Sequence, residues 1–153
     1  MNYPLYFAGE SDRWQHGGAA FIGLDRNENC NTYSTKYLVT EEQFKDVVEQ
    51  ENDGLDLAVN FDAIIKDGSK TLRDSWYGTI LYLGEEDGYP IFTFTSGRDL
   101  DVSVNAPSDA YLSMIIQGLE TTVDLADSDI LDYLRTKPGI DGRYSQKELE
   151  ELL

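Results

Sequence analysis

In this chain, segments with strand-like patterns come first and segments with helical patterns cluster late. The strict alternation of strand and helix that is typical of a parallel sheet is absent from the sequence. This order predicts an α+β protein with a largely antiparallel sheet. The patterns favour strands at 3–8, 19–24, 33–39, 76–83 and 89–95, the last two forming a hairpin across a turn at 84–88.

A capping box marks the clearest start of a helix. Thr40 is followed by two glutamates, which favour the first turn, and Gln43 stands three residues after Thr40. This helix is predicted to end near residue 51, before an Asn-Asp-Gly turn cluster. Further helices are predicted at 57–65, 108–120 and 128–135, with a short tail helix from Ser145.

The charge of the chain excludes several classes of partner. Its 153 residues include 29 Asp and Glu against 12 Lys and Arg, a net charge of -17 at pH 7. Such a surface repels phosphate backbones and anionic lipids, so we expect no binding to nucleic acid or membrane surfaces. No apolar run approaches the roughly 20 residues that span a bilayer, and no secretory signal pattern opens the chain. We therefore expect a cytoplasmic protein, and the length favours a single domain over residues 1–153.

The single cysteine and single histidine restrict metal and nucleophile chemistry. Cys30 alone excludes a disulfide framework and every multi-cysteine zinc site. His16 lies in a polar turn, and no nucleophile-elbow pattern accompanies it. We interpret both as loop residues and the aspartates between 124 and 132 as a solvated face, so no metal site is expected.

Glu51 breaks the pattern of its helix. Phe44, Val47 and Val48 mark an inward apolar face, and the position seven residues after Phe44 on that stripe is Glu51. Both the apolar face and the negative end of the helix dipole would raise the pKa of this carboxylate. A carboxylate held in this way can act as a general base near neutral pH. The alternative interpretation is that Glu51 is the solvated last residue of the helix.

Motifs along most of the chain occur in a characteristic order. The run Tyr-Leu-Val-Thr-Glu-Glu-Gln-Phe at 37–44 leads through 46–52 to Glu51, and Ser-Asp-Arg-Trp-Gln-His-Gly-Gly-Ala-Ala-Phe-Ile fills 11–22. Further matching positions are 76–77, 83–84, 93–95, 111, 118–119 and 132–134. Together these motifs resemble a bacterial branch of the γ-glutamylcyclotransferase-like family. Residues 55–73 have no counterpart and look like an insertion, and the C-terminal helices occupy 108–153.

The resemblance implies a fold, a reaction and a site. The implied fold is a small, mainly antiparallel β-barrel with helices packed outside. The implied reaction is the internal cyclisation of a γ-glutamyl compound, which releases 5-oxoproline and needs no cofactor. By position, Glu51 matches the family's catalytic glutamate. Substrate contact is predicted for Tyr77, Trp14, Gly17, Gly18 and Ser11, with core packing of the aromatic rings and a bulge at the glycines as the alternatives.

The family's first strand and its Tyr-Gly-Ser-Asn-type loop have no match in this sequence. In the family this loop holds the α-amino-carboxylate end of the substrate. Residues 3–8 are followed at once by the Trp14 and Gly17-Gly18 features of the family's second strand, so residues 3–8 correspond to that strand. A non-catalytic binding module that keeps the barrel is therefore a second interpretation, and an acidic mimic of nucleic-acid charge is a third. An incomplete barrel would expose sheet edges, which favour pairing with a second copy or with a partner strand.

Overall fold

A computed structural model describes residues 1–97 and 104–153, which belong to two compact units. One unit comprises Met1–Ser34 and the described part of Leu100–Leu153, and the other comprises the described part of Thr35–Asp99. In chain order the elements are β1 (Leu5–Ser11), a 3-10 turn (Asp12–Trp14), β2 (Gly17–Ile22), α1 (Glu41–Gln50), α2 (Phe61–Asp67), β3 (Ser69–Thr71), β4 (Thr79–Glu86), β5 (Tyr89–Thr95), α3 (Asp109–Val123), α4 (Asp127–Leu134) and α5 (Gln146–Glu150).

The first unit packs a two-stranded sheet with three helices. β1 and β2 pair antiparallel from Leu5 opposite Ile22 to Ala8 opposite Ala19, with a bulge before Ser11. Phe7 is completely buried in the core of this unit. It is joined there by buried residues of α3, α4, α5 and the preceding loop, namely Leu112, Ile116, Leu119, Ile130, Leu134, Ile140 and Leu149.

The second unit is a three-stranded antiparallel sheet with two helices. β4 lies between β3 and β5, and its register with β5 runs from Thr79 opposite Thr95 to Glu86 opposite Tyr89. The predicted capping box opens α1, because the Thr40 side chain accepts from the Gln43 N–H and the Gln43 side chain accepts from the Thr40 N–H. The fully buried core residues are Val48, Ile64 and Ile80, packed with the partly buried Phe44, Leu57, Val59, Leu72, Tyr82, Phe92 and Phe94.

The α+β class and the antiparallel pairing are confirmed, but the predicted β-barrel is wrong. A barrel requires a closed ring of paired strands. The described strands form instead two separate sheets, of two and three strands, and neither closes. The strand predicted at 33–39 is also absent, and its apolar residues Tyr37 and Leu38 are 79% and 80% exposed.

The segment 55–73, interpreted as an insertion, contributes α2 and β3 to the second unit. Asn60 caps α2, because its side chain accepts a hydrogen bond from the Ala63 N–H at 3.0 Å. The short strand β3 then pairs with the start of β4. A single domain over residues 1–153 stays a prediction. In the described ranges, no helix combines the length and the hydrophobicity needed to cross a bilayer.

Candidate functional site

Glu51 lies at the C-terminal end of α1, where hydrogen bonds fix the backbone. The N–H groups of Asn52 and Gly54 both donate to the carbonyl oxygen of Glu49, at 3.0 and 2.8 Å. Asp53 and Gly54 adopt left-handed conformations with φ of 64° and 70°, which end the helix sharply. The Glu51 side chain is exposed to solvent on this fixed turn.

The exposure of Glu51 follows from the true position of the apolar stripe. The sequence pattern places Val47 on the inward face, but Val47 is 44% exposed whereas Val48 is completely buried. The buried stripe therefore runs in steps of four from Phe44 through Val48 to Asn52, which is 1% exposed. Asn52, and not Glu51, is the polar residue that continues the apolar face. Glu51 lies at the edge of the stripe and is open to solvent.

The buried side chain of Asn52 has partners for both its donor and its acceptor groups. Its Nδ2 donates to the carbonyl oxygen of Val48 at 2.8 Å and to that of Tyr77 at 3.2 Å. Its Oδ1 accepts a hydrogen bond from the hydroxyl of Ser75. A buried amide without partners would cost about 1–3 kcal/mol, so these contacts fix both the position and the orientation of the side chain.

Arg73 makes a second connection to the same turn. Its Nη1 donates to the backbone carbonyl oxygen of Asn52 at 3.0 Å and to Oδ2 of Asp53 at 2.9 Å. The ion pair with Asp53 is largely exposed and contributes little by itself, about 0–1 kcal/mol. The Asn52 carbonyl lies two residues past the end of α1 and also accepts a hydrogen bond from the Leu55 N–H at 3.4 Å. Arg73 thus adds a second donor to this carbonyl and connects the loop 72–78 to the turn after α1.

Gly78 allows the segment 72–78 to fold into the loop that supplies these partners. Its carbonyl oxygen accepts a hydrogen bond from the Leu72 N–H at 2.8 Å. A Cβ atom on Gly78 would lie 2.1 Å from the carbonyl oxygen of Arg73 and 2.5 Å from the hydroxyl oxygen of Ser75. Only glycine fits such a close approach. The tight loop brings both Arg73 and Ser75 to Asn52.

Tyr77 is connected by a hydrogen bond to Asn52, the residue that follows Glu51. Its carbonyl oxygen accepts a hydrogen bond from Asn52, and its half-buried ring forms a T-shaped pair with the Phe94 ring at 5.8 Å between centroids. The structure therefore links these two predicted site residues through Asn52, the neighbour of Glu51. Contact between the Tyr77 ring and a substrate stays a prediction.

Small hydroxyl side chains continue the polar region beyond Tyr77. Thr79 opens β4 opposite Thr95 of β5, and both are buried. The Thr79 hydroxyl lies 2.9 Å from that of Thr71, its partner on β3. Ser96 follows Thr95 and is also buried. Four of the five buried polar residues described, namely Asn52, Thr79, Thr95 and Ser96, therefore belong to this one unit, and Thr32 belongs to the other.

In the first unit, Ser11 is the last residue of β1, and Trp14 is the last residue of the 3-10 turn that leads to β2. Ser11 pairs with Gly17 beyond the bulge. The Trp14 ring packs against the Tyr111 ring of α3 at 4.9 Å between centroids, and the Arg13 guanidinium lies 5.4 Å from the Trp14 centroid. Trp14 therefore packs the β1–β2 connection against α3. Trp14 is partly exposed, and its contact with a substrate stays a prediction.

The two adjacent glycines of β2 are in close contact with the chain's own backbone. A Cβ atom on Gly17 would lie 2.4 Å from the backbone nitrogen of Ser108, and one on Gly18 would lie 2.4 Å from the carbonyl oxygen of Asn105. The Asn105 side chain in turn donates to the carbonyl oxygens of Gly9 and His16, at 2.8 and 2.9 Å. Backbone packing alone thus requires glycine at both positions, and substrate contact there stays a prediction.

The predicted site residues fall in both units: Glu51 and Tyr77 in the second, and Ser11, Trp14, Gly17 and Gly18 in the first. Sequence reasoning missed Asn52, Arg73, Ser75 and Gly78. The spacing of Asn52, eight residues after Phe44, was the available signal. Arg73 and Ser75 reach Asn52 from 21 and 23 residues away, and no local pattern indicates contacts at such separations.

Metal-binding groups and surface depressions are two further places where a small ligand could bind. In the ranges 1–97 and 104–153, no three His, Cys, Asp or Glu side chains are grouped so that they could hold a metal ion. An open depression of about 330 Å³ lies beside α3 and contains none of the predicted site residues. It is lined mainly by Ser113, Met114, Gln117, Glu120, Leu152 and Leu153.

Comparison with known proteins gives one partial similarity. No family model matches the chain, and no solved structure matches it. A segment of histone deacetylase 5 from Arabidopsis thaliana is 33% identical over 137 residues, which covers 76% of this chain and 20% of that protein. The chain thus spans about a fifth of the length of this curated relative.

Proposed function

We propose that this chain is a γ-glutamylcyclotransferase-like enzyme in which Glu51 is the general acid and base. The observation that carries the proposal is the placement of the Glu51 carboxylate. It is open to solvent, yet it follows directly on a helix whose end is anchored by the buried Asn52. A carboxylate that substrate can reach, on a turn held by several hydrogen bonds, is suited to acid–base catalysis.

The proposed reaction needs one proton carrier. The α-amine of the γ-glutamyl group is mostly protonated at pH 7, and Glu51 removes its proton. The amine nitrogen then attacks the γ-carbonyl carbon, forming the ring C–N bond, and the original γ-amide C–N bond breaks. Glu51 gives this first proton to the departing nitrogen as that bond breaks, and it then takes a second proton from the ring nitrogen and passes it to the released amine. The products are neutral-lactam 5-oxoproline and a protonated amine or amino acid.

Tyr77 is the other residue of the second unit assigned to this site. Tyr77 is half-buried, and its ring packs in a T-shaped pair with the Phe94 ring. We propose that the remaining part of the ring contacts the γ-glutamyl chain. Substrate binding by Ser11, Trp14, Gly17 and Gly18, which the family resemblance implies, stays part of the proposal.

The test is release of 5-oxoproline from a panel of γ-glutamyl dipeptides and γ-glutamylamines. The proposal predicts turnover by the wild-type protein and loss of at least about 100-fold in kcat for Glu51→Gln, since general acid–base groups contribute about 10²–10⁴-fold. Asp46→Asn is the matched control, because Asp46 is an exposed carboxylate on the same helix. Equal turnover by Glu51→Gln and the wild type would assign the chemistry to another group.

A non-catalytic binding module is the second candidate function. The observation that favours it is the match to a fifth of a longer protein that carries the name of a different enzyme. A segment of this type thus occurs as one part of a larger polypeptide. In this case a folded wild-type protein would bind a γ-glutamyl dipeptide in calorimetry without releasing 5-oxoproline.

The cellular location is proposed on composition alone. We propose a cytoplasmic protein, because a single cysteine offers no intramolecular disulfide of the kind common in secreted domains. Fractionation of cells that express the tagged chain would test this, and recovery outside the cytoplasmic fraction would contradict it.

A further inference from the structure

We infer that Asn52 is the positioning residue for Glu51, which it holds through the contacts of its side chain with the loop 72–78. The inference rests on the proposed function, since it gives the anchored turn a catalytic purpose. Asn52 itself is 1% exposed and is not placed to contact a substrate. Its effect on the reaction must therefore act through its neighbour Glu51.

The contacts of Asn52 join two segments that are distant in sequence. The Nδ2 group binds one carbonyl oxygen on the last turn of α1, that of Val48, and one on the loop, that of Tyr77. The Ser75 hydroxyl donates to Oδ1 from the same loop. A side chain with three such bonds cannot rotate without breaking at least one of them, so the backbone at Glu51 has little freedom.

The left-handed turn after Asn52 makes this anchor necessary. Asp53 is a non-glycine residue with φ of 64°, a conformation that is less favourable for residues with a side chain. Arg73 bonds both to the Asn52 carbonyl and to the Asp53 carboxylate, so it supports the turn from the loop side. Without these partners, the end of α1 would fray and the Glu51 carboxylate would leave its position.

Two variants of different severity test the inference. Asn52→Asp keeps the shape of the side chain but places an oxygen opposite the carbonyl oxygens of Val48 and Tyr77. Ser75→Ala removes one hydroxyl and leaves Asn52 intact, so it keeps the test valid if Asn52→Asp fails to fold. Gln50→Ala is the matched control, because Gln50 is exposed on the same helical turn.

Kinetics and amide hydrogen exchange are both measured on the full chain. When activity is expressed per folded molecule, we expect kcat to fall on the order of 100-fold in Asn52→Asp and about tenfold in Ser75→Ala. KM should stay within about twofold of the wild type, because misplacement of a catalytic group lowers the rate more than it weakens substrate binding. Exchange at the Glu51 and Gly54 amides should accelerate about tenfold relative to the Phe44 amide, because one hydrogen bond is lost from that turn. Gln50→Ala should change neither measurement.

The outcomes separate this inference from the proposed function. If the wild type is active, Glu51→Gln is inactive and both Asn52→Asp and Ser75→Ala retain kcat, the inference is overturned and the proposed function stands. A loss of kcat that merely matches the unfolded fraction also overturns it. If the folded wild type releases no 5-oxoproline, the proposed function fails and the catalytic role of Asn52 fails with it. The exchange rates then show whether Asn52 anchors the turn for stability alone.

Discussion

The side-chain amide of Asn52 lies 3.2 Å from the carbonyl oxygen of Tyr77 and thereby connects the end of α1 to the chain just before β4. This contact predicts a large effect on stability. Asn52→Ala should lower the free energy of unfolding by about 2–3 kcal/mol, because it leaves the partners of a buried amide unsatisfied. Urea denaturation measures the difference. Asn31→Ala, at an exposed loop position, should stay within about 0.5 kcal/mol of the wild type, and an equally small effect at Asn52 would contradict the network.

Two glycines should respond in opposite directions to the same substitution. Gly78→Ala places a Cβ atom 2.1 Å from the Arg73 carbonyl oxygen, which is a backbone atom and cannot rotate away. We expect a loss of about 1–3 kcal/mol, as for overpacked sites. Gly118 lies within α3 with nothing inside 4 Å of its Cβ position. Gly118→Ala should therefore raise stability by about 0.5–1 kcal/mol, since alanine is the better helix former.

Thermal melting of both variants beside the wild type tests this pair. If Gly78→Ala melts with the wild type, the loop 72–78 has enough freedom to move away from the new methyl group. In that case the loop would not hold Arg73 and Ser75 as tightly as the distances indicate. The result for Gly118→Ala shows in the same experiment whether the melting measurement can detect a stability change of about 0.5–1 kcal/mol.

Local signals predicted most of the helices and the hairpin. The capping box at Thr40 depends only on residues three positions apart and forms as predicted, and the tail helix predicted from Ser145 is confirmed and also opens with a capping box. The helices predicted at 108–120 and 128–135 are confirmed as α3 and α4, and the hairpin is confirmed as β4 and β5. These elements share one property, because their determining contacts lie within a few residues along the chain.

Long-range pairing explains what the sequence pattern did not predict. The alternation at 33–39 is typical of a strand, but a strand also needs a partner, and the described residues supply none for this segment. β3 was not predicted, because its three residues are polar and form a strand only by pairing with the neighbouring β4. The barrel was wrong because closure is a property of all the strands together. At the site, the local pattern predicted Glu51 on the apolar face, where the structure has Asn52, and the partners of Asn52 come from the distant loop.

The glycines of β2 provide a test of whether their role is structural. Gly17→Ala and Gly18→Ala each place a Cβ atom 2.4 Å from a backbone atom, of Ser108 and Asn105 respectively. We expect each to lower the stability of the first unit by about 1–3 kcal/mol with no ligand present. Glu10→Ala, at an exposed position of β1, is the control. Variants as stable as the wild type but defective with a γ-glutamyl substrate would favour the predicted ligand contact instead.

Tyr144 predicts how the first unit responds to alkaline pH. Its hydroxyl oxygen lies 2.7 Å from the Pro107 carbonyl oxygen and 2.8 Å from Oδ1 of Asp109. Burial, followed by the neighbouring Asp109 carboxylate, raises the pKa of Tyr144 above its ordinary value. The folded state therefore favours the neutral phenol. The corresponding stability is fully present below a pH of about 10, where an unfolded tyrosine ionises, and is lost as the pH rises through the higher folded-state pKa.

Tyr144→Phe isolates this contribution, because phenylalanine neither ionises nor donates a hydrogen bond. The wild type should exceed the variant by about 1 kcal/mol at pH 8, the usual value of one hydrogen bond, and the advantage should shrink above a pH of about 10. Urea titrations at a series of pH values measure the difference. The buried Tyr6 and the partly buried Tyr133, whose pKa values are also raised, cancel in this difference because both proteins contain them. Tyr89→Phe is the control, since Tyr89 is 59% exposed. A gap between the wild type and Tyr144→Phe that stays constant from pH 8 to pH 12 would show that the Tyr144 phenol ionises equally in both states.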